Sequence, residues 1–181
     1  MLNPLDFKQP LLLDIGAGGY SSDDKFTSVD LVTECDIKAS MDAIPLPDGC
    51  VEGIFSSNAL EHIGKHQIIP TLREWRRLLK PGGKIQLVLP DLEWAVLWWL
   101  SHQEDRGWSM DIIYGHQLHE GEYHKTGFTP RIIWEYFMEA GGFEVHKIEY
   151  ILGDYNETQL EENKKKIEVS QRCISVEAKK I

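Results

Sequence analysis

Apolar strand-like runs alternate with stretches of helical periodicity along this chain, and a pair of strand-like segments closes it. Together these predict an α/β fold, a three-layer sandwich of sheet and helices. The three leucines at residues 11–13 add a second observation: they read as a buried strand that Asp14 closes ahead of a glycine turn, LLLDIGAGGY. Glycine adopts positive φ and has no Cβ, so Gly16, Gly18 and Gly19 let the main chain press against a ligand. Strand, acid and glycine turn in that order place a nucleotide-like cofactor over the carboxyl end of a parallel sheet. At 181 residues, 42% hydrophobic and 27% charged, the chain reads as one domain spanning 1–181.

Each element follows in order. Residues 1–10 are a polar lead-in with Pro4 and Pro10. After the glycine turn, SSDDKF leaves little room for a full helix before the second strand at 27–32, which ends near Asp30. Asp36 and Ile37 form a short third strand or its approach, and Asp48-Gly49 is a turn. Residues 51–57 (VEGIFSS) are a continuous apolar strand with small residues at the carboxyl end. Ile68, Leu72, Trp75 and Leu79 then recur at helical spacing, with Arg73, Glu74, Arg76 and Arg77 toward water. Pro70 fits only in the first turn of that helix, and Lys80-Pro-Gly-Gly ends it.

Residues 84–90 are a buried strand, and Asp91 caps the next helix, 91–101. That helix is apolar over more than one stripe (Leu92, Trp94, Val96, Leu97, Trp98, Trp99, Leu100). It reads first as a core helix, with a substrate wall or a homodimer face as alternatives. Residues 102–127 lack periodicity and carry His102, His116, His119 and His124; they read as a solvated loop or as a substrate-binding lid inserted in the domain. Thr129-Pro130 opens the last helix as cap and first-turn proline. Its buried face is Ile132, Ile133, Tyr136, Phe137 and Ala140, and Gly141-Gly142 stop it. A sixth strand at 143–151, a charge-rich connection at 153–166 and an antiparallel strand at 167–178 close the sheet, with a bulge expected near 172–174.

The glycine turn departs from the dinucleotide fingerprint G-x-G-x-x-G, because Ser21 stands where the third glycine belongs. Asp14, two residues before the first glycine, would repel a pyrophosphate and suits a positively charged ligand such as an amino group or a sulfonium. Asp30, at a strand tip sixteen residues on, can accept hydrogen bonds from both ribose hydroxyls. These stretches, with SSNALEHI followed by LLKPGGKIQLVLPDL, resemble the class I S-adenosylmethionine (SAM)-dependent methyltransferases. The resemblance covers residues 11–90 and, more loosely, 128–178. It implies a Rossmann-like methyltransferase sheet of strand order 3-2-1-4-5-7-6 with the last strand antiparallel, S-adenosyl-L-methionine as cofactor, and methyl transfer as the reaction. It further implies that Gly16, Ala17 and Gly18 lie against the methionine and ribose portions, with Asp14 favouring the positive end. Asp30 and Leu31 fall at the ribose, Asp42 and the Ala43 backbone N–H at the adenine, and Ser57 and Asn58 near the methyl group. Glu52 where Asp is usual, Ile-Pro-Leu-Pro in place of an L-P-F-like tripeptide, and the abbreviated segment after Tyr20 depart from the family pattern.

No catalytic residue is assigned. His62, His119 and His124 are candidates for a general base, because imidazole titrates near neutrality; each has a structural or solvated role as the alternative. No metal is assigned either; were one bound, His116, His119 and a nearby Glu would be its first ligands. A net charge of −10 and a pI near 5.1 oppose a nucleic-acid partner. No apolar run approaches the ~20 residues that span a bilayer. The N-terminus lacks a secretory pattern and three cysteines leave one unpaired, so a reduced, cytoplasmic protein acting on a small molecule is expected. Two other classes stay open: a non-catalytic SAM-binding sensor or partner protein, and a nicotinamide oxidoreductase, which the missing third glycine opposes.

Overall fold

The computed structural model describes residues 1–19, 23–104, 106–118, 120–152 and 172–181. Seven strands form one sheet: β1 (Leu12–Ile15), β2 (Thr27–Asp30), β3 (Ile37–Lys38), β4 (Val51–Ser57), β5 (Leu79–Pro90), β6 (Phe143–Leu152) and β7 (Arg172–Lys180). Their order is β3-β2-β1-β4-β5-β7-β6. The first five are parallel to one another, and β7 runs antiparallel between β5 and β6. The expected sheet order and reversed last strand are therefore both present.

Residues paired across neighbouring strands share a face of the sheet. Leu13, Ile54, Ile85 and Ala178 are linked in this way. They pack in one core with Ile68, Leu72, Trp75 and Leu78 of α1 (Lys65–Leu78) and with Ile133 and Phe137 of α4 (Pro130–Ala140). On the other face Lys84, Gln86 and Glu177 are exposed, and with Leu12, Phe26 and Phe55 they line a hollow of about 460 Å³. Among the described residues no helix stands in the connections from β1 to β4. The brevity of SSDDKF anticipates the first of these.

Several elements differ from the sequence-based reading. α1 begins at Lys65, so Pro70 is its sixth residue and not part of the first turn. Gly64 N–H donates to Gln67 Oε1 at 3.0 Å and starts the helix early. The exposed Pro70 ring costs one helical hydrogen bond, which the fully buried Ile68, Leu72 and Trp75 offset. Leu78, not Leu79, completes the buried stripe, because Leu79 already pairs with Val51 in β5. The cations of α1 are not simply solvated. Arg77 bridges Glu74 and Asp48 and donates to the Ile44 and Leu46 carbonyls, while Arg76 donates to those of Ala140 and Gly141.

The helix α2 (Leu92–Ser101) is not a core helix. Ala95 is its one buried residue; Val96, Leu97, Trp99 and Leu100 are exposed. Trp94 and Trp98 stack on each other and meet Trp108 edge-on. Trp108 belongs to a further helix, α3 (Arg106–Tyr114), within the stretch read as loop. The register shift falls in β6 between Val145 and Lys147, whereas β7 pairs with β5 without interruption from Lys84↔Lys179 to Pro90↔Cys173. Thr129 and Asp91 cap α4 and α2 as expected. Ser21, His119, the connection at 153–166 and the start of the last strand at 167–171 lie outside the described residues. None of the described helices is long and apolar enough to cross a membrane.

Candidate functional site

The carboxyl ends of β1, β2 and β4 converge on the glycine turn. Gly16, Gly18 and Gly19 all have positive φ (79°, 61° and 85°), which an L side chain rarely adopts. Gly16 has a second reason to be glycine: a Cβ there would lie 2.4 Å from Ala59 Cβ. The turn thus sits directly against the segment that follows β4. Gly16 N–H donates to the Val29 carbonyl at 2.8 Å, tying the turn to β2.

Asp30 completes the frame. One carboxylate oxygen accepts from Gly18 N at 3.0 Å, and the other from Val32 N at 2.7 Å and Thr33 N at 2.9 Å. Partial burial alone would raise its pKa, but the Thr33, Val32 and Gly18 N–H groups outweigh that and hold the carboxyl below its ordinary value. The acid at the tip of the second strand is therefore ionised at neutral pH and braced across the glycine turn. Three of the carboxylate's roughly four lone-pair sites are taken by these N–H groups, so the open one is on the oxygen that accepts from Gly18. Asp14 lies at the end of β1, 3% exposed, while Leu31 is exposed beyond Asp30.

Asp42 and Ala43 sit on a segment anchored to α1. Trp75 Nε1 donates to the Met41 carbonyl at 2.9 Å, and Ile44 N donates to Glu74 Oε1 at 3.0 Å. Ser40 Oγ donates to the Asp42 carboxylate. The Ala43 N–H donates to the Ser40 carbonyl at 3.0 Å, so a base contact through it must share that bond. Ala39 N donates to the Asp30 carbonyl, which joins this segment to the tip of β2. Ser57 ends β4, and Asn58 follows in a left-handed conformation (φ 47°), its side-chain amide donating to Ser57 Oγ.

One residue was missed by sequence reasoning. Glu61, in the short 3-10 turn Leu60–His62, is 1% exposed, and among the described residues neither carboxylate oxygen has a hydrogen-bond partner. Burial pushes its carboxyl up to about 8. An ionisable residue between Leu60 and His62 gives no periodic cue to such burial. His62 and His124, 62 residues apart in the chain, come together with ring centroids 4.9 Å apart. Burial lowers both their pKa values, so both rings are neutral at neutral pH. His116 lies elsewhere, exposed, with Nδ1 3.7 Å from Asp111.

Residues 13–87 match a family model described as "Methyltransferase domain". No curated protein is a significant match to the chain. Among solved structures the chain resembles a SAM-dependent methyltransferase from Methanosarcina mazei (TM-score 0.63, 15% identity, 99% of this chain and 98% of that one). It also resembles 1,6-didemethyltoxoflavin-N1-methyltransferase from Burkholderia thailandensis, solved with its substrate and S-adenosylhomocysteine (TM-score 0.61, 14% identity, 94% and 70%). A third is a 16S rRNA (adenine(1408)-N(1))-methyltransferase from Catenulisporales acidiphilia with SAM (TM-score 0.57, 11% identity, 100% and 92%). At these identities the likeness is one of fold.

Proposed function

We propose that this chain is a class I SAM-dependent methyltransferase that transfers a methyl group from S-adenosyl-L-methionine to a small-molecule acceptor, a reading supported by the match of residues 13–87 to a methyltransferase-domain model and by the sheet order. The observation that carries the reading is the Asp30 carboxylate, braced on Gly18 N–H at the strand tip where a nucleoside's two hydroxyls would need an ionised acceptor. In this reading Gly16, Ala17 and Gly18 face the methionine and ribose, Asp14 favours the positive end, and Leu31 flanks the sugar. Asp42 and Ala43 hold the adenine, and Ser57 and Asn58 border the transferred methyl.

The sulfonium is already an activated donor. The protein's part is to hold nucleophile, methyl and sulfur in line and to exclude water, which removes an entropic barrier. Where the acceptor must shed a proton, His62 and His124 are neutral and able to take one. The net charge of −10 favours a small molecule over a nucleic acid. Calorimetric titration of SAM, followed by detection of S-adenosylhomocysteine on a broad acceptor panel, tests the reading. Binding with turnover supports it; binding without turnover on any acceptor supports a sensor, and no binding ends both.

A further inference from the structure

Glu61, His62 and His124 form a cluster whose two rings cannot take a proton and hold an ion at once, and methyl transfer itself requires neither role. One ligand atom from each, a carboxylate oxygen and two ring nitrogens, lies within 4.8 Å of the others. Each ring is already oriented by a main-chain carbonyl: His124 Nδ1 stands 2.7 Å from the Ile112 carbonyl oxygen, and His62 Nδ1 3.3 Å from that of Tyr123. A ring whose Nδ1–H donates to a carbonyl keeps its Nε2 lone pair for an ion, the usual outer-shell arrangement of a metal-ligating histidine.

The carboxylate is the independent observation. A buried, unpartnered carboxylate carries a desolvation penalty that a cation beside it would remove. Among the described residues no lysine or arginine donates to it, since both oxygens of Glu61 lack a hydrogen-bond partner there. Its surroundings are fixed by the main chain. The Glu61 carbonyl accepts from Lys125 N at 2.7 Å and Thr126 N at 3.1 Å, and Thr126 Oγ1 donates to the Ile63 carbonyl at 2.7 Å. His124 N donates to the Tyr114 carbonyl at 2.9 Å. Gly115 seals the same loop, since a Cβ there would collide with the Glu122 carbonyl oxygen. Glu61 and His62 are therefore held against His124 by bonds on both sides of the cluster.

We infer that Glu61, His62 and His124 bind one divalent transition-metal ion of the Zn²⁺ class, with two imidazoles and one carboxylate as protein ligands. This set suits a borderline ion, and three protein ligands leave a position for water or for an oxygen- or nitrogen-bearing molecule. Ligand atoms on a tetrahedral zinc stand about 3.3 Å apart, given bonds of ~2.0 Å, so closure asks for shifts on the order of an ångström from three side chains. The cluster follows Asn58 within four residues and adjoins Ala59, against which the glycine turn packs. An acceptor taking the open position is a role that rests on the methyltransferase reading; the ion's binding does not.

The test uses the full chain, stripped with a chelator and titrated with Zn²⁺ against a chromogenic competitor, with the bound metal counted by mass spectrometry. One equivalent per chain is expected. Glu61→Gln and His124→Ala should each weaken it ten- to a hundredfold, while His116→Ala leaves it unchanged. Substitution with Co²⁺ should give the visible absorption of a four-coordinate site, lost in the same variants. No stoichiometric metal on the wild-type chain overturns the site, as does one equivalent whose affinity neither variant changes. Should Glu61→Gln fail to fold by circular dichroism, His124→Ala alone decides. SAM titration of the metal-free chain is read in parallel, so loss of cofactor binding and loss of metal binding are told apart.

Discussion

Asp30→Asn is the substitution that most directly tests the cofactor site. The carboxylate receives three backbone N–H groups at 2.7–3.0 Å, two on one oxygen and Gly18 N on the other. Asparagine can keep the Val32 and Thr33 bonds on Oδ1, but its amide nitrogen cannot accept from Gly18. The glycine turn thus loses its strut while the strand tip keeps its own. Residue 30 is only partly buried, so water takes over the freed N–H and the net loss is roughly 0.5–1 kcal/mol, or about 2–4 °C in Tm at most for a chain of this size. Cofactor affinity should suffer more. A ribose diol bound to a carboxylate makes charge-assisted bonds of about 1.5–3 kcal/mol each, so losing one lowers affinity roughly ten- to a hundredfold. Calorimetry with SAM and a thermal melt on the same sample separate the two effects. A dissociation constant within twofold of wild type, with an unchanged circular dichroism spectrum, would refute the assignment of Asp30. The pH dependence has a definite sign. The folded carboxyl lies below its unfolded value of 3.8, so the folded state binds fewer protons. The stability Asp30 contributes is present at neutral pH and lost as pH falls through the folded value, so wild type and Asp30→Asn should converge in acid.

Other outcomes follow from the same coordinates. Gly16→Ala places a methyl group 2.4 Å from Ala59 Cβ at a φ of +79°, and should lower stability by about 1–3 kcal/mol in a denaturant melt and abolish SAM binding. Adding Ala59→Gly should recover part of the stability, because it removes the collision and not the backbone strain; no recovery at all would show that Gly16 is needed for another reason. Asp42→Ala leaves the Ser40 hydroxyl in a half-exposed place where water can replace the carboxylate. Its Tm should move by no more than 1–2 °C while SAM affinity drops several-fold. Asp91 is fully buried, caps α2 through Glu93 N and Trp94 N, and pairs with Arg172 Nε at 2.5 Å. Asp91→Ala should cost about 3–5 kcal/mol in chemical denaturation, and Asp91→Asn less because the cap survives; equal losses would mean the cap contributes nothing.

The sequence by itself determined the sheet order and the glycine turn at the end of its first strand. Short, largely apolar runs such as 11–13 and 51–57, bounded by turn residues, read as strands, and residues 16–19 carry glycines where the backbone needs positive φ. These are local constraints, written in adjacent residues. Caps at Asp91 and Thr129 were legible for the same reason. Tertiary structure decided what depends on long-range approach. Whether α2 is core or surface rests on which of its faces meets Trp108, and a helix apolar on every side gives no period from which to choose. The helix α3 was hidden because its short run of nine residues lies among glycine, serine and aspartate. Glu61 shows the limit most plainly: it is buried where Lys125 and Thr126, more than sixty residues away, bond its main-chain carbonyl through their N–H groups. No spacing in the sequence records that closure, because it is a property of how the loop after α3 folds back over the end of β4.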